Sequence, residues 1–178
     1  MWSPDKFVAA LKFAGVKHSG QRVPDSELPY VVHVTMVANE VMNALTRESF
    51  AEPDLAVQCA LLHDCLEDTA TSAEELEHAF GAQVLAGVRA LTKNDALPKA
   101  ERMTDSLRRI QAQGREVWIV KLADRITNLQ PPPRSWSIDK CIAYRGEAEV
   151  ILAALGSASP YLEERMQQKI DGYAQYCR

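Results

Sequence analysis

Apolar residues recur at three- and four-residue spacing along almost the whole chain, and no pair of segments alternates apolar and polar residues as strands would. This pattern commits the chain to helices packed on helices. Helix signals punctuate it. Ser3-Pro4-Asp5 reads as an N-cap, a first-turn proline and an acidic first turn, followed by Phe7, Ala10, Leu11 and Ala14, with Gly15 as a terminator. Residues 16–28, with Gly20 and Pro24, read as a loop. Pro29 opens a second helix with Val34, Val37, Val41 and Leu45 on one stripe. A third runs from about Pro53 to Asp68, burying Leu55, Cys59, Leu62 and Leu66. Thr71-Ser72-Ala73-Glu74 reads as a capping box for a short helix that ends at Gly81. Val84, Leu85, Val88 and Leu91 mark another, and Pro98 begins one that Gly114 closes. Val117-Trp118-Ile119-Val120 has strand-like composition, but Leu122, Ile126 and Leu129 carry a helical period straight through it. Pro131-Pro132-Pro133 then stops the helix. Residues 138–155 and 160–174 complete the set. The expectation is an all-α bundle of about eight to ten helices in a single domain spanning 1–178.

The chain has 178 residues and is 47% apolar, enough to bury a stable core without disulfides. The four cysteines include no C-x-x-C pair, so they suggest neither a zinc knuckle nor a redox motif; Cys59 and Cys65 read as small packing residues. A formal charge of −4 argues against nucleic acid as a partner. Small anions stay open, because a metal and a few cations can reverse the local field. No apolar stretch approaches the ~18 residues that span a bilayer, and the N-terminus lacks a signal-peptide pattern, so a cytoplasmic protein is expected.

The segment Leu61-Leu62-His63-Asp64-Cys65-Leu66-Glu67-Asp68-Thr69 carries chemistry. Glu67 is four residues after His63 and Asp68 four after Asp64, so on a helix each pair shares a face. A solvated helix end would explain Glu67 and Asp68, but not the inward position of His63. His33 sits beside the Val37/Val41 stripe. Asp124 is seven after Val117 and four after Val120 and also faces inward. A lone inward histidine is usually a hydrogen-bonded core residue, and a lone inward carboxylate needs a partner. Two histidines and two aspartates facing inward from three helices are satisfied together by one divalent ion. Imidazole and carboxylate without thiolate suit manganese or iron, with zinc or magnesium less favoured.

The spaced pattern of a distant His33, adjacent His63-Asp64 and a distant Asp124 matches the HD superfamily. Pro29-Tyr30-Val31-Val32-His33, Ala60-Leu61-Leu62-His63-Asp64-x-x-Glu67-Asp68-Thr69, Phe80-Gly81, Leu97-Pro98-Lys99-x-x-Arg102 and Lys121-Leu122-Ala123-Asp124-x-x-x-Asn128-Leu129 resemble the hydrolase domain of RelA/SpoT homologues, in particular the small alarmone hydrolases. The resemblance covers roughly residues 5–155. It implies manganese-dependent removal of the 3′-diphosphate from ppGpp-type nucleotides, with one ion on His33, His63, Asp64 and Asp124. Glu67 and Asp68 would manage the attacking water and its proton. Arg22, Tyr30, Lys99, Lys121, Asn128 and Tyr144 would contact the substrate, although Lys99 and Lys121 also read as surface lysines and Tyr144 as core. The chain departs from the family at Val23-Pro24, where polar residues are usual, at Val34 after the ligand histidine, and at Pro131-Pro132-Pro133. A relaxed base pocket that also takes adenine alarmones is expected from the first departure. An HD phosphatase of another nucleotide such as NADPH, and a helical module with a structural metal, are the competing readings.

Overall fold

The computed structural model describes residues 1–178 and contains ten α-helices. α1 (Pro4–Lys17) starts as expected, with the Ser3 hydroxyl accepting from the Lys6 N–H. It runs through Gly15, which keeps helical backbone angles, and the chain turns instead at His18 and at Gly20, whose φ is +81°. The connection to the next helix is pinched by an isolated antiparallel bridge between Arg22 and Pro29. Val23 N–H donates to Leu28 O, and Tyr30 N–H to Gln21 O. α2 (Val31–Arg47) begins two residues after Pro29, because Pro29 and Tyr30 form the turn that leads into it.

The expected helix from Pro53 to Asp68 is two helices. α3 (Pro53–Leu62) stops at the functional segment, and a single-turn α4 (Cys65–Asp68) resumes after it. Asp64 lies between them at φ −96° and ψ −2°, in the sparsely allowed region between helix and strand. α4 ends where the Thr69 hydroxyl donates back to Cys65 O at 2.6 Å. Thr71 pairs with Thr69, so the cap of α5 (Ala73–Phe80) is Ser72, one residue later than the capping-box reading. Gly81, at φ +86°, turns the chain into α6 (Ala82–Leu91). α7 (Lys99–Gln111), α8 (Arg115–Asn128), α9 (Ile138–Leu155) and α10 (Pro160–Tyr173) follow, with single 3₁₀ turns at Gly156–Ala158 and Ala174–Tyr176. Val117–Val120 is helical, within α8.

Every residue of α3 from Leu55 to Leu62 is buried. A helix apolar on all sides belongs in the middle of a fold, and α3 packs against α1, α2, α6 and α8. α8 buries Val117, Ile119, Val120, Leu122, Ala123 and Ile126 against α2, α3 and α10. Cys59 and Cys65 are buried free thiols, each pushed up to about 12 by burial. Their thiolates are scarce, which suits packing rather than reactivity. No helix is long and apolar enough to cross a membrane.

Candidate metal centre

The side chains of interest meet where α2, the α3–α4 junction and α8 converge. His33 comes from the first turn of α2, His63 and Asp64 from the helix break, and Asp124 from the last turns of α8. His63 Nε2 is 2.9 Å from Asp64 Oδ2 and 3.8 Å from Asp124 Oδ1. His33 Nε2 is 3.7 Å and 3.6 Å from the same two oxygens. One donor atom each from His33, His63 and Asp64 falls within a mutual distance of 4.8 Å. Atoms bound to one divalent ion at about 2.0–2.2 Å are roughly 3 to 4.4 Å apart, so this spacing suits a shared ion.

The tautomer of His63 supports that fit. Its Nδ1 donates to Ala60 O at 2.8 Å. Nε2 is therefore the face turned to the carboxylates, and although it lies close to Asp64 it is buried without a hydrogen-bond partner. Orienting one ring nitrogen through a backbone carbonyl leaves the other free as a ligand. Without an ion, these groups must share protons. Burial alone would lower the His63 pKa, but Asp64 and Asp124 outweigh it and raise it to about 9. Burial would raise Asp64, but the histidine beside it brings it down to about 2. Asp124, also opposed by burial, is held well below the usual carboxylate range by Lys121, His33 and His63. A divalent cation meets the same electrostatic demand.

Supporting contacts hold these candidate ligands. Tyr30 donates its hydroxyl to Asp64 Oδ2 at 2.5 Å, and burial followed by the Asp64 charge pushes the phenol pKa far up. Lys121 Nζ is 3.1 Å from Asp124 Oδ2, and Asn128 Nδ2 donates to Oδ1 at 2.6 Å. Removing such an outer contact costs about 10–100-fold in metal affinity. Tyr30→Phe should therefore weaken divalent-metal binding by about 10-fold, measured by titration calorimetry. Unchanged affinity would show that the Tyr30 hydroxyl does not support Asp64.

A cavity of about 240 Å³ opens beside these residues, and Glu67, Asp68, Lys93, Lys121 and Arg125 also line it. The Asp68 carboxyl is raised by burial first and then by the charges of Asp64 and Glu67. The cavity continues, through the shared Asn128 and Tyr144, into a groove of about 840 Å³ floored by Val23, Pro24, Val32, Pro131–Pro133 and Trp136. Tyr144 stands between the two spaces, with the Arg125 guanidinium 4.2 Å from its ring centre.

Two of the residues expected to touch substrate lie elsewhere. Arg22 is exposed and pairs with Glu27 across the pinched loop; its neighbours Val23, Pro24 and Asp25 line the groove instead. Lys99 is exposed at the start of α7 and lines neither cavity nor groove. Lys93 lines the cavity and was not anticipated. Nothing local marks it, since its partner is the distant Glu67.

The HD domain profile matches residues 10–157. This chain belongs to the HD-domain family. An HD domain implies a divalent metal, in keeping with the donor set. Among its relatives, a zebrafish (Danio rerio) protein named guanosine-3′,5′-bis(diphosphate) 3′-pyrophosphohydrolase MESH1 is 36% identical over 163 residues, 89% of this chain and 88% of the relative. The human protein of the same name is 34% identical, covering 91% of each chain. The solved structure of an HD protein described as a metazoan orthologue of SpoT that hydrolyses ppGpp superimposes with a TM-score of 0.83 at 28% identity, covering 97% of both chains.

Proposed function

We propose that this HD-domain protein is a manganese-dependent 3′-pyrophosphohydrolase of ppGpp-type alarmones, releasing pyrophosphate and GDP or GTP. The observation that carries the proposal is one cavity lined by His63, Asp64 and Asp124, with His33 3.6 Å from Asp124 on its groove side, and lined further by Glu67, Asp68, Lys121 and Arg125. A structural metal has no use for two further carboxylates in the cavity beside it. When bound, the ion neutralises phosphate charge and makes water more acidic.

The residues divide the remaining work. The bound ion, with Lys121 and Arg125 in the cavity lining, suits a diphosphate, and the adjoining groove offers room and apolar surface for a nucleoside. Asn128 and Tyr144, at the junction, meet the ribose side. Asp68, which lines the cavity beside Asp64 and whose carboxyl is raised above its ordinary value, is suited to accept a proton from the attacking water. Glu67 orients that water. Water adds to the phosphorus attached to O3′, the O3′–P bond breaks, and the diphosphate leaves as pyrophosphate while O3′ takes up a proton. Val23 and Pro24 stand in the groove, beside Asp25, Gln130, Arg134 and Ser135, where the family usually has a polar pair, and the loss of that pair favours acceptance of adenine as well as guanine alarmones.

The test is release of pyrophosphate and phosphate from ppGpp, ppApp and NADPH by protein stripped with chelator and then resupplied with manganese. Pyrophosphate from ppGpp that disappears on stripping and returns with manganese is expected, with a kcat/KM for ppApp within about 10-fold of that for ppGpp, whereas a pocket built to hydrogen-bond guanine alone would discriminate by about 10⁴-fold or more. Phosphate from NADPH alone would move the protein to a different nucleotide, and no turnover would leave the metal structural.

A further inference from the structure

Lys93 follows the C-terminus of α6 and reaches back to Glu67. Its ammonium nitrogen is 2.5 Å from Glu67 Oε1, and its backbone N–H donates to Oε2 at 2.9 Å. One residue thus engages both oxygens of one carboxylate. The Glu67 side chain is only 18% exposed, while that of Lys93 is 55% exposed. A pair this accessible adds little to folding stability. Its effect is on direction: a glutamate turns about several side-chain bonds, and two anchors from the same residue fix where the carboxylate faces.

The anchor is itself braced. Arg109, on α7, donates to Arg89 O, Ala90 O and Thr92 O at 2.7–2.9 Å, holding the end of α6 just before Lys93. Arg102 donates to Asp95 O and Leu97 O just after it. The segment that carries Lys93 is pinned on both sides by arginines of one helix.

We infer that Lys93 is a positioning residue for the hydrolysis, holding Glu67 with its carboxylate directed at the attacking water. The inference rests on the function proposed above. The alternative for a cavity lysine is direct contact with the diphosphate, and kinetics separate the two roles.

Lys93→Met, Lys93→Arg, Glu67→Gln and the Lys93→Met/Glu67→Gln pair are compared with wild type on ppGpp with manganese. Lys93→Met should lower kcat by about 10- to 100-fold and change KM by less than about threefold. Lys93→Arg should restore most of the rate, since it keeps a cation on Glu67. The double variant should be no slower than Glu67→Gln alone, because a clamp on an absent carboxylate has nothing left to orient. Manganese affinity, by calorimetry, should stay within about threefold of wild type in every variant. A raised KM with kcat intact, or effects that multiply in the double variant, would overturn the positioning role in favour of a phosphate contact. A wild-type protein inactive on ppGpp would instead remove the function on which the inference rests.

Discussion

Asp64→Ala is expected to lower pyrophosphate release from ppGpp by roughly 10³-fold or more, the scale of removing the charge stabilisation that a positioned metal provides. Asp64 ties three side chains of the centre together: it is 2.9 Å from His63, 3.7 Å from His33, and accepts from Tyr30. Alanine deletes a ligand, leaves the Tyr30 hydroxyl without its acceptor and removes the charge that holds His63. Manganese affinity should fall together with the rate. Asp64→Asn is the informative companion, because it retains the shape and an oxygen for Tyr30 while losing the charge. Both variants should still melt cooperatively, since Asp64 lies in the break between α3 and α4 rather than in either helix. A variant that keeps a tenth of the wild-type rate would show that Asp64 is not a ligand.

Gly87→Ala is expected to destabilise the fold by about 1–2 kcal/mol, although alanine is the better helix former by ~1 kcal/mol. Gly87 is buried in α6. A Cβ there would come 2.6 Å from Cys59 Sγ on α3 and 3.1 Å from Val117 Cγ2 on α8. Neither neighbour can yield, because Cys59 and Val117 are themselves buried against other helices. Overpacking costs about 1–3 kcal/mol, and the 2.6 Å approach to Cys59 puts this site in the upper half of that range, above the helix-propensity gain. For a chain of this size that lowers the melting temperature by roughly 2–8 °C. Combining it with Cys59→Ala, which clears the nearer contact, should recover part of the loss. A melting temperature raised by Gly87→Ala alone would refute the close approach of α6 to α3.

These two sites mark what the sequence made legible and what it did not. The helices were readable because apolar spacing and caps such as Ser3-Pro4 are local. The break at His63-Asp64 was not, because Cys65 and Leu66 continue the apolar period on its far side. Thr71 passed for a cap because the pattern cannot show that its hydroxyl is engaged with Thr69. The convergence of His33, His63, Asp64 and Asp124 could be anticipated, since each lies on an inward stripe and a buried charge needs a partner. Arg22 and Lys99 were carried over by motif, and a motif transmits adjacency along the chain without the direction of a side chain. Lys93 and Gly87 lay beyond reach for one reason: what matters about each is a contact between segments remote in sequence.

Three pieces of chain would supply the proposed metal's donors: the start of α2, the junction after α3, and the end of α8. They become neighbours only when the central helix is enclosed, and the unfolded chain has no equivalent site. An ion seated there therefore behaves as a reversible staple, closing two large loops at once, and its binding energy is added to the energy of folding. The persistence of the folded chain then rises and falls with the free metal around it. Starvation for the metal would deplete the protein itself as well as silence it.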